Sequence, residues 1–206
     1  QEAQLLAFPW LGGLNTPQFS NADFNHDGIV DLLIFDRSDS EIHCFINHGA
    51  VGVVDYEYAP HYNAFFPDSL AHWVLMADYN CDGIADIFSS YEDGIALYTG
   101  YYNENETLHF TLQTNSLKDI DDETLLVNYY DLPAITDIDM DGDTDLLLAS
   151  EGGDRVLFYQ NQSSDCNSLS LEKTNNCWGD FVESSTSNSL ILDTLCTDNE
   201  GLTTAA

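Results

Sequence analysis

Three short segments of this chain place oxygen-bearing side chains at one fixed spacing. They read Asp23-Phe24-Asn25-His26-Asp27-Gly28-Ile29-Val30-Asp31, Asp78-Tyr79-Asn80-Cys81-Asp82-Gly83-Ile84-Ala85-Asp86 and Asp137-Ile138-Asp139-Met140-Asp141-Gly142-Asp143-Thr144-Asp145. Each carries Asp or Asn at positions 1, 3, 5 and 9, and Gly at position 6. The pattern suits ligation of a hard cation such as Ca2+, which takes roughly six to eight oxygens converging from a short turn. Gly at position 6 frees the backbone to fold back around an ion, and the position-7 carbonyl is a further oxygen in Asp-rich calcium loops. The candidate ligands are Asp23, Asn25, Asp27, the Ile29 carbonyl and Asp31 in the first loop. In the second they are Asp78, Asn80, Asp82, the Ile84 carbonyl and Asp86, and in the third Asp137, Asp139, Asp141, the Asp143 carbonyl and Asp145. An ordinary tight turn needs about one or two such residues, not four in fixed phase three times, so three Ca2+ sites are expected. Cys81, at position 4 of its loop, reads as a packing residue or disulfide partner rather than a ligand.

The elements that must position these loops follow from their flanks. The loops begin at residues 23, 78 and 137, which sets periods of 55 and 59 residues and marks a repeat array such as propeller blades. An extended run precedes each loop: Pro17–Ser20, Trp73–Ala77 and Pro133–Thr136. An apolar run follows it: Leu32–Phe35, Ile87–Ser90 and Leu146–Ala149. The loop is therefore expected to be the turn of a β-hairpin. This excludes an EF-hand, whose loop extends to a carboxylate at position 12 and lies between amphipathic helices. A third strand is expected at Glu41–Ile46, Gly94–Tyr98 and Arg155–Tyr159, and a fourth with long loops within Tyr56–Leu70 and Tyr101–Glu123. No long helix is expected. Three to four strands in each period describe a propeller blade, so the fold class is all-β, a β-propeller of about three to four blades spanning residues 1–206 as a single partial propeller.

Composition narrows the function. The chain has 36 Asp and Glu against 4 Lys and Arg, a formal net charge of −32. Such a surface repels nucleic acid, whose phosphates require Lys and Arg contacts, and no apolar run is long enough for membrane insertion. Hydrophobic residues make up 44% of the chain, enough for a packed core rather than disorder. The five cysteines (Cys44, Cys81, Cys166, Cys177 and Cys196) have no zinc-type spacing. At least one disulfide is expected in the Ser-, Asn- and Thr-rich segment 160–200. With the calcium loops, this favours an extracellular, secreted or cell-surface location. The six histidines show no metal-binding spacing and there is no GxSxG elbow, so no catalytic residues are assigned and the protein is not read as an enzyme. Aromatics gather at Tyr56, Tyr58, Tyr62, Phe65 and Phe66, and at Tyr98, Tyr101, Tyr102, Tyr129 and Tyr130. They read as blade packing, or alternatively as a loop surface for carbohydrate or protein.

The loops with their flanks, such as Ala22-Asp23-Phe24-Asn25-His26-Asp27-Gly28-Ile29-Val30-Asp31-Leu32, resemble FG-GAP/VCBS repeats, the blades of integrin-α-like β-propellers. That resemblance implies Ca2+ held in each nine-residue loop by the residues named above. Gly12-Gly13-Leu14-Asn15-Thr16-Pro17-Gln18-Phe19 and Asn176-Cys177-Trp178-Gly179-Asp180-Phe181 are similar to secreted, cell-surface proteins of this kind from Bacteroidota, often exported by type IX secretion. The same resemblance makes Ser69 and Thr194, in Asp-Ser/Thr-apolar triplets, candidates for O-glycosylation. The chain has fewer periods than a closed propeller of the family and no terminal sorting domain, so completion by a missing segment or another chain is expected. The function implied is a non-catalytic scaffold for adhesion or protein–protein interaction, with a protein or glycan ligand on a cell surface. The alternatives are a lectin-like propeller and, against the scarcity of basic residues, a polysaccharide lyase.

Overall fold

The computed structural model describes residues 12–49, 52, 54–163, 168–184, 186–187 and 189–193. The first sheet consists of β1 (Pro17–Ala22), β2 (Asp31–Asp36), β3 (Glu41–Asn47) and β4 (Tyr56–Tyr58). The second holds β5 (Val74–Ala77), β6 (Asp86–Tyr91), β7 (Gly94–Tyr102) and β8 (Leu108–Thr114), and the third β9 (Ala134–Thr136), β10 (Asp145–Ala149), β11 (Val156–Asn161) and β12 (Leu171–Asn175). In all three, strands adjacent in sequence are paired antiparallel, so each sheet is a simple meander. A fourth sheet pairs only β13 (Phe181–Glu183) with β14 (Leu190–Leu192). Helix is confined, among the described residues, to a 3₁₀ segment at Pro60–Phe65. None there is long and apolar enough to cross a membrane. This is an all-β architecture of propeller-type blades, and the three loops are hairpin turns joining β1 to β2, β5 to β6 and β9 to β10.

Sheet-on-sheet packing explains why the middle strands read as continuous apolar runs. Val74, Ile87, Ala96 and Tyr98 of the second sheet pack with Phe24, Leu33, Phe35 and Cys44 of the first. From the opposite face, Phe88, Ile95 and Leu97 pack with Leu146, Leu148 and Leu171 of the third. Because β6 and β7 are buried on both faces, alternation disappears from their sequences. The first strands also bridge the sheets. Gln18 Oε1 accepts the Val74 N–H at 3.0 Å and Ser20 Oγ accepts the Met76 N–H at 3.2 Å. These bonds satisfy donors on the edge strand β5 that no strand of its own sheet reaches. Arg37 adds a third tie, donating from Nε to the His72 carbonyl (2.7 Å) and from Nη2 to the carbonyls of Tyr129 and Tyr130 (3.1 and 3.2 Å).

Outside these central strands, sequence expectation and structure diverge. β4 and β8 fall in the two segments where a fourth strand was expected, but the 3₁₀ segment at Pro60–Phe65 was not expected. β12 was also unforeseen; only Leu171 of its five residues is buried, so it carries no alternating signal. Tyr62 and Phe66 pack into the first core as expected, whereas Tyr101, Tyr129 and Tyr130 are exposed at 45%, 41% and 69%. Phe88→Ala, at a fully buried site, is expected to destabilise the protein by about 3–5 kcal/mol. Phe19→Ala, at a residue 61% exposed, should change stability by about 0.5 kcal/mol or less. Urea-denaturation midpoints of the two variants check the assignment of the core.

Candidate metal centres

Each loop folds through two left-handed residues. Position 4 has φ of 58° at His26, 56° at Cys81 and 67° at Met140, and the position-6 glycines have φ of 81°, 83° and 101°. Only glycine adopts this conformation without steric penalty, so the non-glycine position 4 must be held there by the surrounding hydrogen bonds. The position-1 carboxylate supplies several. Asp23 accepts the N–H groups of Asp27 (3.1 Å) and Gly28 (2.8 Å), and Asp78 those of Asp82 (3.2 Å) and Gly83 (2.8 Å). Asp137 accepts those of Met140 (2.7 Å) and Gly142 (3.1 Å). Position 5 accepts the N–H of position 7 in all three loops: Ile29 to Asp27, Ile84 to Asp82, and Asp143 to Asp141.

Position 9 is the deepest group of each set. Asp31, Asp86 and Asp145 are 1%, 0% and 0% exposed. One oxygen of each accepts the N–H of position 2: Phe24 (2.9 Å), Tyr79 (3.0 Å) and Ile138 (2.9 Å). The other accepts an N–H from the third strand: Asn47 (2.7 Å), Gly100 (2.7 Å) and Asn161 (2.9 Å). The carboxylate thus fastens the loop to the sheet behind it. Gly100 is required at its position because a Cβ there would lie 2.3 Å from the Ala85 carbonyl oxygen.

The loops differ in how far their oxygens converge. In the third, ligand atoms of Asp137, Asp139 and Asp145 lie within 4.8 Å of one another; among the described residues no other trio of His, Cys, Asp or Glu does so. In the first two, Asn occupies position 3, and its amide donates to the position-5 carboxylate: Asn25 to Asp27 at 3.0 Å and Asn80 to Asp82 at 3.1 Å. These bonds engage the Asp27 and Asp82 carboxylates within the loop. Asp139 cannot donate in this way; it accepts instead from Gln160 Nε2 on β11. Asp143, at position 7 of the third loop, is buried, and its Oδ1 has no hydrogen-bond partner.

Burial and mutual repulsion raise the proton affinity of several loop carboxylates. Burial pushes the Asp86 carboxyl up to about 7, against the N–H donors of Gly100 and Tyr79, and Asp82 and Asp78 raise it further. Asp31 is raised for the same first reason. Burial and then Asp141 and Asp145 push Asp143 up to about 6, and burial followed by repulsion from Asp145 and Asp141 raises Asp139. Desolvated, like-charged oxygens of this kind fit a hard cation, which would offset both the burial and the repulsion.

Residues of the following repeat seat the first and second loops. The Tyr102 hydroxyl donates to the Asp23 carbonyl at 2.8 Å while its ring stacks on His26 with centroids 4.0 Å apart. Thr144 Oγ1 donates to the Asp78 carbonyl at 3.1 Å. No local pattern marks these contacts, because they join residues 79 and 66 positions apart. Cys81, which is exposed, and Cys177, which is buried, are each disulfide-bonded, and Cys44 is a free buried thiol. No disulfide joins two described residues; Cys166, Cys196 and Thr194 lie outside them. Among the described residues, none of the six histidines joins a metal-type cluster.

Comparison with known families agrees with this layout. Residues 23–89, from the first loop into β6, match the family model described as FG-GAP-like repeat. The third sheet repeats the same order of strand, loop and strand. No match to a curated protein was found.

The shifted carboxyl of Asp86 sets a pH dependence for the metal-free protein. Its folded value of about 7 lies above the ordinary 3.8, so the folded state holds a proton that the unfolded state has released. That contribution favours folding at acid pH and is lost as pH rises from about 4 to about 7. In chelator, stability is expected to fall across this range, and Asp86→Asn should flatten the fall. Urea titrations at several pH values measure both slopes.

Proposed function

We propose that this chain is a non-catalytic, calcium-stabilised propeller scaffold of an exported cell-surface protein, serving adhesion or protein–protein interaction. The observation that carries the reading is the third loop, where Asp137, Asp139 and Asp145 converge around one point beside the buried, partnerless Asp143 oxygen. An all-carboxylate, all-oxygen set prefers Ca2+ to softer metals. The first and second sites would use Asp23, Asn25, Asp27 and Asp31, and Asp78, Asn80, Asp82 and Asp86, with the carbonyls of Ile29 and Ile84. In the third, Asp141 and the Asp143 carbonyl join the three converging residues. In the first two loops the Asn25 and Asn80 amides would turn their oxygens inward, freeing the Asp27 and Asp82 carboxylates for the ion.

Bound calcium would supply charge neutralisation, not reaction chemistry. The residues themselves already perform the mechanical task, since position 9 ties the loop to the third strand while position 1 sets the turn. A scaffold role also fits the scarcity of basic residues, since only Arg37, Lys118, Arg155 and Lys173 could stabilise a developing anion in a lyase-type reaction. Export is supported by the calcium demand of the loops and by the oxidised state of Cys81 and Cys177. Completion by a further segment or chain is consistent with the fourth sheet, whose β14 residues Leu190, Ile191 and Leu192 are all exposed.

A ligand at a hundredfold excess over its Kd stabilises by about 2.7 kcal/mol per site, roughly 5–10 °C in melting temperature for a chain of this size. Calcium is expected to raise the melting temperature by at least this amount. Asp139→Ala and Asp82→Ala should each remove part of the gain while changing little in chelator. Equal losses with and without calcium would show that these residues support the turn alone.

A further inference from the structure

A cleft with leucine and tyrosine in its walls lies away from the loops, between the second and third sheets. It encloses about 420 Å³. Leu148 and Leu157, on β10 and β11, line it, and Leu126 and Tyr129 form a wall from the segment that joins the two sheets. Its acidic groups are Asp93, Asp131 and Glu151, and none of the four basic residues lines it. A second hollow of about 440 Å³ shares Asp93 and Leu126 with the first and adds Tyr91 and Glu92, so the two form a trough. Leu126 and Tyr129 are 56% and 41% exposed, unusual for apolar side chains beside a cleft.

We propose that this trough docks a basic, apolar-flanked peptide segment of a protein partner, a reading that rests on the scaffold function above and specifies its ligand. Charge complementarity decides the occupant. Asp93, Asp131 and Glu151 make no ion pair among the described residues, so covering them with a neutral ligand would desolvate carboxylates without compensation. An arginine or lysine lays its apolar stem on Leu126 and Leu157 and brings its cation to the carboxylates; Tyr129, whose ring packs on Tyr130 and His72, adds an aromatic edge to the wall. An anionic glycan or phosphate is repelled. The wall is held in place before binding, because Arg37 is committed to the carbonyls of Tyr129 and Tyr130 from the first sheet. Less ordering is then needed on association.

The probe is a fluorescein-labelled Leu-Arg-Leu-Arg amide, titrated into the calcium-saturated protein at about 0.15 M salt, where surface charges are screened beyond roughly 8 Å. Saturable binding is expected, weakened about tenfold by the double variant Asp131→Asn, Glu151→Gln. The control variant Asp39→Asn, Glu106→Gln removes the same charge from exposed sites elsewhere and should weaken binding less than about twofold. Absent binding, equal weakening by the two variants, or equal affinity for Leu-Gln-Leu-Gln amide would overturn the proposal. So would a neutral glucan oligosaccharide that binds in a Leu126- and Tyr129-dependent manner where the peptide does not. Calcium-dependent melting, measured on the same samples, reports separately on the scaffold reading. Peptide failure with intact calcium stabilisation sinks only the docking site.

Discussion

Three buried carboxylates carry the architecture. Asp31, Asp86 and Asp145 stand at the ends of their loops with almost no exposure, and each accepts one N–H from the start of its loop and one from the third strand. A charge in such a place is expensive unless it is hydrogen-bonded and compensated. The two N–H donors supply part of that compensation, and the raised proton affinity of Asp31 and Asp86 shows that they do not supply all of it. A cation held by the outer oxygens of the same loop is the natural complement. The fold thus places its need for charge neutralisation where hairpin, third strand and neighbouring sheet meet.

From those anchors the stacking of the sheets follows. The second sheet is apolar on both faces and belongs to two cores, so neither neighbour can be removed without exposing half of it. Polar contacts set the alignment between sheets. Gln18 and Ser20 satisfy the edge of β5, Tyr102 and Thr144 receive the backbone of the preceding loop, and Arg37 reaches across to the segments before β5 and β9. The position-1 carbonyl of the first and second loops is held by the following repeat, so ordering a loop also orders a sheet junction. Loop geometry and blade packing are coupled through these bonds.

The charge distribution separates two kinds of acidic surface. In the loops, carboxylates are drawn together by the turn and bonded to backbone N–H groups. In the trough between the second and third sheets, Asp93, Asp131 and Glu151 flank leucine and tyrosine without converging on one another. That spacing suits an extended ligand with a long apolar stem. A net charge of −32 would favour cationic partners everywhere, so selectivity has to come from the apolar walls and their fixed placement.

The hairpin loops, the strands on either side of them and the all-β class were legible in the sequence, because the loop pattern repeats and β2, β6 and β10 are short apolar runs bounded by Asp. Residue type and spacing alone pointed to the third loop, where Asp137, Asp139 and Asp145 converge, since a nine-residue turn is a local structure. What the sequence did not contain was the position-4 left-handed backbone at His26, Cys81 and Met140, or the Asn-to-Asp bonds that separate the first two loops from the third. The weak strands β12, β13 and β14 were also hidden, because β12 and β14 are mostly exposed and β13 and β14 are only three residues long. Which faces meet, which carbonyl each tyrosine or threonine caps, and where a cleft opens depend on residues dozens of positions apart. Those relations are set by packing in three dimensions, which only the tertiary structure decides.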